Sequence, residues 1–185
     1  FYDYIEGAYA VGLVGGWPVE GGLEYRPYLN ISRQQTNSIL ARYLSAIEKA
    51  STGGYIHGDG GSTFESLDSW YRGEGSIFKG SFYLTGFLDM GDVAVDHRAT
   101  TAYLVYHGIV LGSGGRLSPL AGLARSQAAV MVLRVAARAA ELSVAPPAPT
   151  GLSVVETGGK VVVQTAPAVY VGNDATPQVK GTAMI

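Results

Sequence analysis

The strongest constraint on how this chain can fold is that part of it is written twice. "YAVGLVGG" (Tyr9 to Gly16) matches "VYHGIVLG" (Val105 to Gly112), with Gly12 aligned on Gly108. "YRPYLNISRQQTNSILARYL" (Tyr25 to Leu44) matches "LSPLAGLARSQAAVMVLRVA" (Leu117 to Ala136), which sets Pro27 on Pro119, Arg33 on Arg125 and Gln35 on Gln127. The stretch "WPVEGGLE" (Trp17 to Glu24) is the longer loop that absorbs the change of offset between the two blocks. Each copy reads as helix, glycine stop, loop, proline turn, helix.

The first helix of each copy is predicted over roughly Tyr2 to Val11 and Arg98 to His107, each closed by a glycine suited to a left-handed cap. In the second helix of copy one, Ile39, Leu40, Tyr43, Leu44 and Ile47 recur at helical spacing, with Arg42, Ser45, Glu48 and Lys49 on other faces. In copy two the stripe is Ala128, Met131, Val132, Val135, Ala136 and Ala139, opposite Gln127, Arg134, Arg138 and Glu141. Between the copies, Ser51 to Gly86 is rich in glycine and lacks helical periodicity. It reads as an ordered inserted loop with short strands around "SIFKGSFYL". After Glu141, "SVAPPAPTG" is a proline-rich linker, and "LSVVE", "KVVVQT" and "AVYVG" read as strands. These strands are too few for a stable sandwich. They open a larger β-domain or pair with a neighbouring chain.

The organisation is therefore mainly α: a repeat over 1–50, a Gly-rich insertion over 51–86, a second repeat over 87–142, a linker over 143–151 and a β-segment over 152–185. The chain begins at Phe1 without an initiator Met and reads as a mature product or a fragment.

Composition narrows the function classes. A net charge of -2 with no Lys/Arg block argues against a nucleic-acid face, and no run is apolar enough to span a bilayer. With no cysteine there is no disulfide framework or thiolate metal site. His97 and His107 lack zinc-ligand spacing, and "HGDGGST" around His57 and Asp59 lacks the lysine and context of a phosphate loop. Asp89, Asp92 and Asp96 lack the glycine and terminal Glu of an EF-hand, so helix capping ahead of Arg98 is the expected role. No nucleophile elbow or paired-carboxylate cleft is legible. The expectation is a non-enzymatic chain without cofactor or metal. Its 26 glycines and 12 tyrosines suit a secreted surface protein.

The motif order "FLDM" (Phe87 to Met90), "GIVLG", "LSPLAG" and "LARSQAAVMVLR", with "GLVGG", "YRPYLN" and "ISRQQTNSILARYL" earlier, resembles the S-layer homology domain of bacterial cell-surface proteins. The resemblance covers Phe1 to Glu141 apart from the insertion. It implies a helical repeat domain, usually of three copies, that binds a secondary cell-wall polysaccharide and tethers an exported protein at the cell surface. Its arginine motif, which contacts the polymer, falls here on Ser32, Arg33 and Gln35, and on Arg125 and Gln127. Gln35 and Gln127 stand where the family has Glu, and Ala124 stands at a capping position. A third copy would lie upstream, be replaced by the insertion, or come from another subunit.

An arginine fork at a helix N-terminus suits an acidic sugar, with the terminal N–H groups as further donors. Ser32 and Gln35 also match a capping box, which accounts for their spacing without a ligand. Trp17, Tyr25, Tyr28 and Trp70 are placed in loops as possible aromatic contacts to sugar rings or to a subunit. The expected function is anchoring to wall polymer. The alternative is a structural subunit of a lattice or filament, built through protein contacts and self-association.

Overall fold

The computed structural model describes residues 2–26, 28–143, 152–157 and 160–165, and the chain divides into two units, Phe1–Ser143 and Val144–Ile185. The first unit is mainly helical with small antiparallel sheets. In order, it has α1 (Tyr2–Ala10), the hairpin β1 (Trp17–Val19) and β2 (Gly22–Glu24), α2 (Arg33–Ser51), and the short pair β3 (Ile56–His57) and β4 (Thr63–Phe64). Then come α3 (Leu67–Arg72), 3-10 turns at Gly80–Leu84 and Met90–Asp92, α4 (Val95–Tyr106) and α5 (Arg125–Ser143). The second unit contains an antiparallel hairpin, β5 (Leu152–Thr157) with β6 (Lys160–Thr165), in the register Leu152↔Thr165. Of the expected linker over 143–151, Ser143 ends α5 instead, and the remainder, like the strand "AVYVG", lies outside the described residues.

The segment expected as an inserted loop, 51–86, is not laid over a finished core. It supplies Ile56, Phe64, Trp70, Phe78 and Leu84 to that core. Ser66 caps α3 through a reciprocal box with Ser69, and Gly73 ends the helix in the left-handed region at φ 67. That single turn and a half delivers Trp70, fully buried, onto Phe78, Tyr103 and Tyr106, with ring centroids 5.4 to 5.5 Å apart. Strands expected around "SIFKGSFYL" are replaced by the 3-10 turn, because Gly80 must lie flat on the indole: a Cβ there would sit 2.3 Å from the Trp70 ring.

The helix faces match the apolar stripes only in part, with Leu44, Val135 and Ala139 buried as expected. On α2 the buried residues include Gln34, Asn37, Ser38, Ser45 and Glu48, while Tyr43 is exposed. Hydrogen bonds make this polar face buriable: Asn37 Nδ2 donates to Thr101 Oγ1 at 3.3 Å, the Ser38 and Thr100 hydroxyls are hydrogen-bonded at 2.8 Å, and Tyr103 donates its hydroxyl to Glu48. On α5 only Val135 and Ala139 are buried, and Val132 and Ala136 face outward. α4 starts at Val95, three residues ahead of the expected Arg98. Its first N–H groups are not served by the aspartates, since Gln34 Oε1 accepts from Ala94 N at 3.0 Å.

Candidate functional site

Asp89, the acid of the "FLDM" motif, is buried and accepts from Leu117 N and Ser118 N, each at 2.8 Å. Burial pushes its carboxyl up, but these two N–H groups, with Arg116 nearby, outweigh that and hold it below the ordinary carboxylate value. The clamp keeps Ser118 in the left-handed region at φ 51 and fixes the loop that leads into α5. From that loop Ala121 O and Pro119 O accept from Arg33 N and Gln34 N, both at 3.0 Å. Ser32 completes the α2 cap, its Oγ accepting from Gln35 N while Gln35 Oε1 accepts from Ser32 N at 2.9 Å. The expectation that α2 offers free N-terminal donors to an anion is therefore corrected: its first N–H groups are already bonded to the loop and the cap.

What α2 offers instead is the Arg33 side chain. Its Nη2 donates to Gln127 Oε1 at 3.1 Å, so the arginine that opens α2 meets a glutamine in the first turn of α5, and Gln127 Oε1 also accepts from Ala124 N at 3.3 Å. Both residues line a cavity of about 370 Å³ between α2 and α5, whose far wall carries Asn37, Val130, Met131 and Arg134. Arg134 Nη1 donates to Ile109 O at 3.0 Å. No carboxylate lines this cavity, and neither Arg33 nor Arg134 joins an ion pair among the described residues. Arg33 Nε and Asn37 Oδ1 are buried there without a hydrogen-bond partner among the described residues. Leaving such atoms unpaired costs about 1–3 kcal/mol each.

A second groove, of about 570 Å³, runs along the other side of α2 and is lined by Trp17, Tyr25, Arg26, Gln35, Arg42 and His97, among others. Arg42 Nη1 donates to Leu13 O at 3.2 Å. Arg26 lies 5.4 Å from the Trp17 ring centroid and pairs with Glu24 at 2.8 Å. Burial lowers the His97 pKa, with Asp96 opposing and Arg42 reinforcing the shift, and Ser38 Oγ meets its Nδ1 at 2.7 Å.

The residues singled out from sequence thus separate. Arg33 and Gln127 share the first groove, Gln35, Trp17 and Tyr25 line the second, and Ser32 serves the cap. Arg125 begins α5 in an exposed position and lines neither groove, and Tyr28 is 97% exposed outside both. Two placements are corrected: Trp17 is in β1 of a hairpin rather than in a loop, and Trp70 is in α3, where its complete burial removes it from any contact surface. Asn37, Arg42 and Arg134 were missed. The two arginines occupy aligned positions in the two copies, and that alignment was the available signal.

A buried polar cluster lies behind the grooves. Glu48, 2% exposed, accepts from Tyr103 and from His57 N at 2.9 Å. Burial, followed by Glu48, raises the Tyr103 pKa. His107 Nδ1 accepts from Arg138 Nε at 3.0 Å, which leaves the proton on Nε2, facing Glu48 at 4.0 Å. Burial and then the Arg138 charge lower the His107 pKa to about 3. Among the described residues no three His, Asp or Glu side chains are placed to hold a metal ion, and no helix is long and apolar enough to cross a membrane.

No protein-family model matches the chain, and neither a curated protein nor a solved structure matches it.

Proposed function

We propose that the helical unit is a non-catalytic module of an extracellular, cell-surface protein, and that it binds the acidic groups of a secondary cell-wall polysaccharide in the groove between α2 and α5. The observation that carries this reading is a cavity lined by two guanidinium side chains, Arg33 and Arg134, and by no carboxylate, whose lining residues also hold two buried polar atoms, Arg33 Nε and Asn37 Oδ1, unpartnered among the described residues. An acidic sugar would supply negative charge to the two arginines and hydroxyls to Asn37 and Gln127.

Matched contacts support treating the unit as two copies of one helix-loop-helix motif. Arg42 to Leu13 O repeats as Arg134 to Ile109 O. Leu13 N to Ala8 O (2.9 Å) repeats as Ile109 N to Leu104 O (2.9 Å), and Gly12 and Gly108 take φ 73 and φ 68. This two-copy arrangement, and with it the likeness to S-layer homology domains, belongs to the proposal, as does a β-rich domain continuing from β5 and β6. The second groove then stands as the counterpart site, with Trp17 and Tyr25 as stacking faces for sugar rings.

Co-sedimentation with cell-wall sacculi tests the proposal. Binding should be lost when acid treatment strips the secondary polymer, and lost in Arg33→Ala with Arg134→Ala. Binding that survives both treatments would refute it. A second reading, a structural subunit of a surface lattice or filament, is favoured by the exposed apolar faces of α1 and α5, where Tyr4 is 81% and Leu133 70% exposed.

A further inference from the structure

α2 and α5 are both 19 residues long, each running from an arginine to a serine, and they align position by position. What each does with the same face differs. On α2, Asn37, Ser38 and Glu48 are buried against α4, bonded to Thr101, Thr100 and Tyr103. The aligned residues of α5 are Ala129, Val130 and Ala140, all exposed beside Leu133. α1 aligns with α4 in the same manner, so that Ile5, Tyr4 and Gly7 stand where α4 has Thr101, Thr100 and Tyr103. α1 has no buried residue.

The chemistry changes on both faces together. Asn37 with Thr101 becomes Ala129 with Ile5, Ser38 with Thr100 becomes Val130 with Tyr4, and Glu48 with Tyr103 becomes Ala140 with Gly7. In the first and third pairs the polar atoms are gone from both sides; in the second, Tyr4 keeps a hydroxyl opposite Val130, at the end of an exposed ring. A stripe and a helix that had drifted independently would leave polar atoms stranded on one side. The net charges of the two helices are opposite as well: α1 carries Asp3 and Glu6 without a cation, while α5 carries three arginines against one Glu141, Arg125 being exposed and Arg134 and Arg138 already bonded to Ile109 O and Glu141.

We infer that the exposed stripe of α5 is covered by α1 of a second copy of this chain, in the way α4 covers α2 within one chain. The inference rests on the two-copy reading proposed above; its stripe meets the first groove at Val130, whereas Leu133 and Tyr4 line neither groove. The contact is head-to-tail, so every chain presents both halves of it, and assembly closes into a ring or runs on as a filament. One helix laid on one helix buries less than the roughly 800 Å² per partner of a stable complex, so the association is weak and appears on concentration.

Sedimentation equilibrium of the full chain over a concentration series tests this, with Leu133→Glu and Tyr4→Glu as the two variants. Both side chains are exposed, so neither substitution disturbs the core. The average mass of the wild type should rise with concentration, and each variant alone should stay monomeric. An equimolar mixture of the two should recover association, because it still contains one intact α1 and one intact α5. A wild type that remains monomeric up to about 1 mM, a mixture that fails to associate, or self-association kept by Tyr4→Glu would each overturn the assignment. Sacculus binding by the same variants is read separately: if it is lost while association follows the expected pattern, the polymer proposal fails and this one stands.

Discussion

Replacing Glu48 with alanine discriminates sharply between the buried polar face of α2 and a solvent-facing one. The carboxyl is 2% exposed and accepts from the Tyr103 hydroxyl and the His57 amide. Truncation strands the hydroxyl in the core, at about 1–3 kcal/mol, and leaves the amide partly dry at a further ~1 kcal/mol. With the small void added, the expected loss is about 3 kcal/mol. A solvent-facing glutamate would cost within about 0.5 kcal/mol. Urea unfolding followed by far-UV circular dichroism measures the difference: with a slope near 2 kcal/mol/M, the midpoint should fall by about 1.5 M. Tyr103→Phe, which keeps the ring, should cost about 1–2 kcal/mol, and the double variant should lose less than the two singles combined. A Glu48→Ala midpoint within about 0.25 M of wild type, or strict additivity with Tyr103→Phe, would refute the buried cluster.

Two further outcomes follow from the same core. His107 is held neutral by burial and Arg138, with its pKa lowered to about 3. The unfolded chain therefore takes up a proton, near pH 6.5, that the folded chain refuses, so stability is lost as pH falls from about 6 toward 3, by up to about 1.4 kcal/mol per pH unit. His107→Gln, which can still accept from Arg138, should flatten the urea midpoint against pH between about 6 and 4.5. Gly80→Ala places a Cβ 2.3 Å from the Trp70 ring and should cost about 1–3 kcal/mol, with an altered near-UV spectrum as the indole shifts.

Local chemistry was the most legible part of the chain. The Ser32 to Gln35 box, the glycine stops at Gly12 and Gly108, and the beginning of α5 at Arg125 all follow from adjacent residues. Pairings across long separations were not legible in this way. Nothing near Arg33 indicates that its Nη2 reaches Gln127, because that contact depends on how α2 and α5 pack. The buried face of α2 was legible only in part for a related reason. Apolar periodicity selects Ile39, Leu40, Tyr43, Leu44 and Ile47, of which Leu44 is fully buried and Leu40 and Ile47 pack on the core, whereas the fold also buries Asn37, Ser38, Ser45 and Glu48, satisfied by hydrogen bonds largely from α4. Those polar residues also recur at helical spacing, a pattern visible without coordinates. Trp70 was read as a loop residue because glycines surround α3, although Ser66 and Ser69 spell its cap.

Binding of a purified acidic wall-polysaccharide fragment, measured by isothermal titration calorimetry at low salt, tests the groove most directly. Each charge-assisted hydrogen bond is worth about 1.5–3 kcal/mol, so Arg33→Ala and Arg134→Ala should each weaken binding by at least about tenfold, and Arg125→Ala should leave it unchanged. Equal affinity in the Arg33 and Arg134 variants, or a loss confined to Arg125→Ala, would contradict the groove between α2 and α5 as the binding site.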